Sequence, residues 1–214
     1  LEHWKPMNGH WHCHDGYIWG TEPGNFGGIL FSKEAYPQNV MFSFTIGAEL
    51  PATRDLNAVF CANWNKDTDY LGLSYVCGCN GWYENKSGIE RFPEEEMRSL
   101  TSLYKYTPGT EVEILTGAID GHCFLFADGV LIQELIDNMD PIVGGHVGFS
   151  PYSTVLKIKD IEKDFGYTQK ECELAEILSE PHSLEELKSL YGETIMDYHL
   201  KRLVGEGIII RCGV

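Results

Sequence analysis

Short apolar runs separated by turn residues fill the first three quarters of the chain. Residues 110–137 show the pattern most clearly, since three runs rich in Val, Ile, Leu and Phe are separated by Asp120-Gly121 and Asp128-Gly129. Asp-Gly between such runs is a strong hairpin signal, because a two-residue type I′ turn needs positive φ at both central positions. The pattern predicts an antiparallel meander here, and Asp15-Gly16 predicts a further hairpin near the N-terminus.

The same alternation of strands and turns extends from His10 to about Glu162. About ten short strands at close spacing, with almost no helical periodicity, indicate a sandwich or a barrel. Residues 93–103 (PEEEMRSLTSL) are the exception, and we expect a helical turn or an irregular loop there.

Beyond Gly166 the apolar residues recur at helical spacing in three amphipathic segments. Ser183 followed by Glu186 is a capping box at the start of the second segment. The chain is therefore expected to be mainly β, with a β domain over residues 1–166 and a small three-helix domain over residues 167–214.

The helical tail contains YHLKRLVGEGIII (residues 198–210), which resembles the third helix and first wing strand of winged-helix modules. DNA-binding members of that class place the third helix in the major groove. Residues 167–214 carry 5 Lys/Arg against 9 Asp/Glu, however, and phosphate neutralisation dominates DNA affinity. The tail is expected to serve in docking, in homodimerisation or as a cap on the β domain, and its charge argues against a nucleic-acid partner.

Composition and charge narrow the class of protein. The chain of 214 residues is 43% apolar and 22% charged, which is ordinary for a globular protein, and its net charge of −16 disfavours nucleic acid and anionic membranes as partners. Its 7 cysteines are odd in number and include no C-x-x-C pair, so we expect reduced thiols and a cytoplasmic location. No stretch has the length of a membrane helix, and no signal peptide is recognisable.

Residues 10–162 resemble the concanavalin A-like (laminin-G and glucanase) jelly-roll family. The segments that carry the resemblance are WHCHDGYIWG, GAIDGHCFLFADGVLIQEL and GGHVGFSPYSTVLKIKDIE. More narrowly, the chain is similar to uncharacterised members found beside polysaccharide-utilisation enzymes, and distantly to keto-disaccharide hydrolases. The resemblance implies an oligosaccharide ligand on the concave sheet. The E-x-D-x-x-E strand of jelly-roll glucanases is absent, so their retaining mechanism is unsupported.

His10, His12 and His14 alternate along the first predicted strand, which places all three on one face. A two-residue turn at Asp15-Gly16 would set these histidines opposite Thr21, Trp19 and Tyr17 respectively, with Trp11, Cys13 and Ile18 facing the core. This histidine face could bind Zn²⁺, Mn²⁺ or another divalent ion, could be a sugar-binding platform that includes Tyr17 and Trp19, or could be a plain exposed surface.

Residues 63–91 combine amides, aromatic rings and one Glu-Arg pair, which is typical of a polar ligand site on a rigid sheet. The predicted substrate-binding residues here are Asn63, Trp64, Tyr75, Asn80, Trp82 and Arg91. Trp82 is the expected stacking residue, because a turn at Cys79-Asn80-Gly81 would expose it. Glu90 could act as a general acid or base. Neighbouring strand residues point to opposite faces, which disfavours a pair between Glu90 and Arg91.

Two further groups complete the candidates. His122 follows a hairpin turn and His146 follows Gly144-Gly145, so both could approach the rim of the site. Loop aspartates could hold a structural Ca²⁺, as the jelly-roll resemblance implies: Asp55, Asp67 and Asp69.

Three functions follow from this sequence. The first is a glycoside hydrolase or lyase, with His12 and His14 as metal ligands or as acid and base, and with Glu90 as their catalytic partner. The second is a non-catalytic carbohydrate-binding or sensing module with a protein-docking tail. The third is a sugar-responsive DNA-binding regulator, which would require the acidic tail to bind DNA.

Overall fold

The computed structural model describes residues 1–22, 27–36, 39–52, 54–94 and 97–164. Contacts between residues divide the chain into two units, Leu1–Phe165 and Gly166–Val214. The predicted winged-helix-like tail, its capping box and its role in homodimerisation fall outside the described residues. Within these ranges, no helix has the length and hydropathy needed to cross a bilayer.

The first unit is a β-sandwich of two antiparallel sheets with seven strands each. Its described strands are β1 Trp4–Asn8, β2 His10–His14, β3 Tyr17–Thr21, β4 Ile29–Ser32, β5 Val40–Ala48, β6 Leu56–Ala62, β7 Trp64–Asn65, β8 Tyr70–Leu71, β9 Ser74–Trp82, β10 Lys86–Phe92, β11 Arg98–Thr101, β12 Val112–Ile119, β13 His122–Ala127, β14 Val130–Ile136, β15 His146–Phe149 and β16 Val155–Asp164. The first sheet has the order β1-β4-β15-β6-β9-β10-β11, and the second has the order β14-β13-β12-β5-β16-β3-β2. Strands β7 and β8 form a separate small hairpin.

All three Asp-Gly pairs form the predicted tight turns. Their φ angles are 48° and 79° at Asp15-Gly16, 50° and 78° at Asp120-Gly121, and 48° and 75° at Asp128-Gly129. Positive φ at both positions is the type I′ geometry, whose twist matches that of the flanking strands. The predicted meander is confirmed as β12, β13 and β14, which pair in that order.

The main core lies between the sheets and is built from alternate residues of each strand. Phe42, Phe44 and Ile46 of β5 are buried on the inner face of the second sheet. Phe149 of the first sheet meets Phe44 edge-on, with ring centroids 4.9 Å apart. Fully burying a side chain of this size contributes roughly 1.5–3 kcal/mol, so this layer accounts for the packing of one sheet on the other.

A second apolar cluster lies on the outer face of the first sheet. Its buried members are Ile29, Phe31, Val59, Ala62, Leu71 and Val76. Trp64 and Tyr70 of the β7–β8 hairpin pack against it. The hairpin thus covers part of an outer sheet face that would otherwise expose apolar residues to water.

The prediction for residues 93–103 is wrong in part. Arg98–Thr101 is a strand, β11, which pairs with β10 and places Arg98 opposite Glu90. The four strand residues show no local apolar alternation, and their conformation is set by pairing with β10.

Candidate functional site

The Glu90 cluster, defined as Trp82, Glu90 and Arg98, lies on the outer face of the first sheet. The register sets Glu90 between Val76 of β9 and Arg98 of β11. The Trp82 indole Nε1 donates a hydrogen bond to Glu90 Oε2 at 2.8 Å. Arg98 Nη2 lies 3.1 Å from the same oxygen, and the Glu90 side chain is 15% exposed. One carboxylate therefore fixes both an indole ring and a guanidinium at the surface.

Two glycines lie side by side in the neighbouring row of the sheet. Gly78 pairs with Gly88 on one side and with Asn57 on the other. Asn57 is 8% exposed, and its Oδ1 atom is buried without a hydrogen-bond partner among the described residues. A side chain at Gly78 or Gly81 would overlap this amide, which explains glycine at both positions.

The predicted turn at Cys79-Asn80-Gly81 is wrong, because β9 continues through Trp82. The register with β10 shifts between Lys86 and Gly88, and Asn80 has a φ of 56°. The buried Asn80 amide accepts a hydrogen bond from Tyr106 N at 3.0 Å and donates one to Tyr106 O at 3.1 Å. Asn80 thus holds a bulge in the strand rather than facing a ligand, and this bulge sets the position of Trp82.

Tyr70 borders the Glu90 cluster. Its ring meets Phe92 edge-on at a centroid separation of 6.0 Å. Burial raises the pKa of the Tyr70 phenol, and the nearby carboxylates of Glu22 and Glu90 raise the pKa further, while a hydrogen bond with Ser150 lowers it. The phenol is therefore neutral at physiological pH and can donate or accept a hydrogen bond next to Glu90.

Tyr75 and Arg91, two predicted substrate-binding residues, are both buried and bonded inside the sandwich. The Tyr75 hydroxyl donates to Asp137 Oδ2 at 2.8 Å, and Arg91 Nε lies 3.0 Å from the same oxygen. Burial raises the pKa of Tyr75, and Arg91 also pairs with Glu94 and Asp140. These residues join β9 and β10 to the segment after β14, and Arg91 points away from Glu90, as strand alternation requires.

Asn63, Trp64 and His146 organise the loops at one end of the first sheet. The Asn63 amide donates to the carbonyl oxygens of Cys61, Leu73 and Gly144 at 3.1, 3.1 and 3.4 Å. Trp64 contacts the Phe31 ring edge-on, and the His146 ring stacks on Phe31 at 5.2 Å. These three side chains thus contact other residues of the protein and hold its loops in place.

On the second sheet, the predicted pairing of the N-terminal hairpin is confirmed residue by residue. His10, His12 and His14 lie opposite Thr21, Trp19 and Tyr17. We define the ring row as His12, Trp19 and Tyr17. The His12 and Trp19 rings stack with centroids 6.4 Å apart and planes at 9°, and Tyr17 lies 6.1 Å from Trp19.

The opposite side of this hairpin matches the prediction only in part. Trp11 and Ile18 pack against the core, and the Trp11 ring occupies the space where a side chain at Gly20 would lie. Cys13 is exposed, so the prediction that it faces the core is wrong. Strand β2 is the edge of its sheet, and an edge position leaves its end accessible to solvent.

A charged network adjoins the ring row. The Tyr17 hydroxyl donates to Glu111 Oε1 at 2.9 Å, and Lys159 Nζ donates to the Tyr17 hydroxyl at 3.0 Å. Lys157 and Lys159 lie 3.2 and 2.9 Å from the Glu111 carboxylate. The hydrogen bonds from Lys159, Tyr17 and Lys157 lower the pKa of Glu111 to about 2. The hydrogen bonds of Lys159 with Tyr17 and Glu111 raise the pKa of Lys159.

The described residues contain no group of three or more His, Cys, Asp or Glu side chains arranged to hold a metal ion. Alternate strand residues are about 6.6 Å apart, so His10 and His14 are separated by roughly 13 Å and cannot share one ion with His12. The divalent ion stays a prediction, now for two of the three histidines. Elemental analysis of protein purified without a polyhistidine tag would check it.

The structure does not bring together the three predicted catalytic residues. His12 and His14 lie on the outer face of the second sheet, whereas Glu90 lies on the outer face of the first. Packed sheets are about 10 Å apart, with the core between them. The hypothesis of a shared acid/base or metal site is therefore wrong in its geometry.

His122 lies elsewhere on the second sheet, with Nε2 2.7 Å from Glu134 Oε1. The aspartates proposed for Ca²⁺ are also dispersed, because Asp55 precedes β6 and Asp67 and Asp69 follow it. Asp55 is buried and pairs with Arg54; burial raises its pKa, while hydrogen bonds from Arg54 and Asn57 lower it. The seven residues of β6 separate its ends by roughly 20 Å, so Asp55 does not join the other two.

No protein-family model matches the sequence, and no curated protein matches it. The structure, in contrast, matches many solved structures. A carbohydrate binding module, CBM66, from Bacillus subtilis has a TM-score of 0.58 at 14% identity, over 76% of this chain and 95% of that one. The Crh5 transglycosylase in complex with NAG has a TM-score of 0.58 at 8% identity, over 77% of this chain and 79% of that one.

A Bacillus subtilis protein of unknown function with a galectin-like fold matches at a TM-score of 0.56 and 11% identity, over 76% of this chain and 89% of that one. Together with the order of the strands, these likenesses identify the β-sandwich as a concanavalin A-like jelly roll. The expected fold of the β domain is confirmed. At such identities the likeness shows the fold alone, because one fold hosts many functions.

Proposed function

We propose that this chain binds an oligosaccharide at the Glu90 cluster, on the outer face of the first sheet. Two of the structurally similar proteins are a carbohydrate binding module and a transglycosylase in complex with NAG, which supports a saccharide as the ligand class. The residues of the cluster supply the chemistry that a sugar ring requires.

The observation that carries the proposal is the hydrogen bond from Trp82 to Glu90, together with the contact of Arg98 with the same carboxylate oxygen. An indole held in one orientation offers a flat apolar surface to the C–H face of a sugar ring, at little cost in side-chain entropy. Arg98 and Tyr70 offer polar groups to sugar hydroxyls beside it.

The geometry of the Glu90 cluster favours binding of the saccharide without cleavage of its glycosidic bonds. Glycoside cleavage uses two carboxyl groups, about 5–5.5 Å apart in retaining enzymes and about 6.5–9.5 Å apart in inverting ones. Glu90 is already engaged by Trp82 and Arg98, and the other predicted catalytic residues, His12 and His14, lie on the opposite sheet. Cleavage by Glu90 stays a prediction of the sequence.

Affinity electrophoresis tests the binding site. Native gels containing laminarin, xylan or galactomannan should retard the wild-type chain in at least one case. Trp82→Ala should bind about tenfold more weakly or not at all, which corresponds to a loss of ~1.4 kcal/mol or more. Tyr83→Ala is the matched control, because Tyr83 is the next residue, is aromatic and is 62% exposed.

Equal retardation of wild type and Trp82→Ala would overturn the proposed site. Incubation of the wild type with the retarding polysaccharide tests turnover in the same experiment. New reducing ends that disappear in Glu90→Gln would favour the hydrolase over the binding module.

A further inference from the structure

The ring row on β2 and β3 is a second aromatic surface, separate from the Glu90 cluster. His12 is exposed, Trp19 and Tyr17 are partly exposed, and all three lie on the outward face of the hairpin. The His12 and Trp19 rings are nearly parallel, with planes 9° apart and centroids 6.4 Å apart, so the two side chains hold a matched orientation on this face. The Trp19 indole Nε1 donates to His14 O at 3.3 Å, which anchors the ring to the strand.

Polar groups flank these rings on the neighbouring strand of the sheet. Lys159 lies 4.9 Å and Lys157 5.6 Å from the centre of the Tyr17 ring, and both pair with Glu111. The two lysines and one glutamate leave a net charge of +1, and Glu111 already pairs with both ammonium groups, so a charged ligand gains little from this group. Flat rings beside hydrogen-bonding groups instead suit a ligand with both apolar faces and hydroxyls, as a neutral saccharide has.

The ring row and the Glu90 cluster lie at opposite corners of the sandwich. Strand β14 packs against β10 and β11, so the Glu90 cluster lies over the β14 edge of the second sheet. Five strand spacings separate β14 from β3 in that sheet, or roughly 24 Å at the usual distance between strands. The two surfaces also face away from each other, because each is on an outer face.

We infer that the ring row is a second carbohydrate-binding site, so that one chain has two sites and can bridge two saccharide strands. The assignment of a saccharide as the ligand class rests on the proposed function. The position and independence of the second site rest on the ring geometry and the strand order alone.

The test is a titration of ¹⁵N-labelled full chain with laminarihexaose, xylohexaose and mannohexaose, observed through the tryptophan indole N–H signals by NMR. Single Trp→Phe variants assign the signals of Trp19, Trp82 and Trp11. Trp11 is the internal control, because it belongs to the same hairpin but packs against the core and donates to Asn8 O at 2.8 Å. We expect the Trp19 and Trp82 signals to shift with the saccharide while the Trp11 signal stays in place.

Independence is shown with variants. In Trp82→Ala the Trp19 signal should still shift, and in Trp19→Ala the Trp82 signal should still shift. Each variant should bind about half as much ligand at saturation. His12→Ala should weaken the second site alone.

A shift of Trp82 without a shift of Trp19 would overturn the second site and leave the proposed function intact. A shift of Trp19 without one of Trp82 would support the second site and overturn the proposed one. No shift of either indole with any of the three hexaoses would overturn both. Because these measurements use the wild-type chain, they stand even where an alanine variant fails to fold.

Discussion

At the scale of single residues, Glu111 shows how a surface carboxylate can be held in its charged form. Three donors contact it, and the side chain is 25% exposed. Its pKa falls from the ordinary value of 4.5 to about 2. A carboxyl group whose pKa is lower in the folded protein stabilises the fold above its unfolded pKa, and that stabilisation is lost as the pH falls through the folded pKa.

Glu111→Gln should therefore lower the free energy of unfolding at neutral pH, by about 1 kcal/mol after screening by solvent. The difference from wild type should shrink as the pH falls from about 5 towards 2, because the wild-type carboxylate becomes protonated there. Urea unfolding of both chains at several pH values measures this. Glu113→Gln removes the same charge from an exposed position nearby and is the matched control. Equal behaviour of the two variants would contradict the assigned role of Glu111.

At the scale of elements, the three Asp-Gly hairpins differ in what surrounds their glycines. Gly129 has φ +75° with open space around it, whereas a side chain at Gly121 (φ +78°) would overlap the carbonyl oxygen of Asp137. Alanine at positive φ costs about 1–2 kcal/mol through backbone strain alone. Comparing alanine substitutions in the two turns therefore distinguishes the free-energy cost of backbone strain from that of steric overlap.

Gly129→Ala should lower the free energy of unfolding by about 1 kcal/mol, and Gly121→Ala by clearly more, because only the second adds a steric overlap. Thermal or denaturant unfolding of the two variants compares them directly. Similar losses in both would mean that the segment around Asp137 moves aside easily.

Elements whose geometry depends on neighbouring residues were predictable from the sequence. The type I′ turns and the register of β2 with β3 follow from a few consecutive residues, so the opposition of His12 and Trp19 was derivable without coordinates. The meeting of Trp82, Glu90 and Arg98 depends on a bulge at Asn80 that is fixed by the distant Tyr106, and on β11, which has no local signal. Contacts of that range cannot be read from spacing alone.

At the scale of the whole molecule, the five cysteines among the described residues divide sharply by burial. Cys61, Cys77, Cys79 and Cys123 are buried within the sandwich, and Cys13 is exposed. Burial raises the pKa of Cys61 and of Cys77 to about 12, and it also raises the pKa of Cys79 and Cys123. Since the thiolate is the reactive form, these four thiols are inert while the fold is intact.

Iodoacetamide treatment of the native chain followed by peptide mapping should modify Cys13 and spare the four buried cysteines. All 7 cysteines of the chain should react once it is unfolded in guanidinium. Cys13→Ser serves as the control that assigns the native reaction. Modification of a buried cysteine as fast as Cys13 would show that the sandwich opens readily. The cytoplasmic location stays a prediction, which cell fractionation would test.

The position of β16 has a consequence for how the molecule is made. This strand pairs with β3 on one side and with β5 on the other, although it lies more than a hundred residues after both. During synthesis, the strands β14-β13-β12-β5 and the hairpin β2–β3 therefore remain two separate pieces, each with an unpaired edge, until residues 155–164 have been synthesised. An unpaired sheet edge can form hydrogen bonds with a wrong strand or with another chain. The two pieces of the second sheet thus keep unpaired edges until one late strand, β16, pairs with both of them.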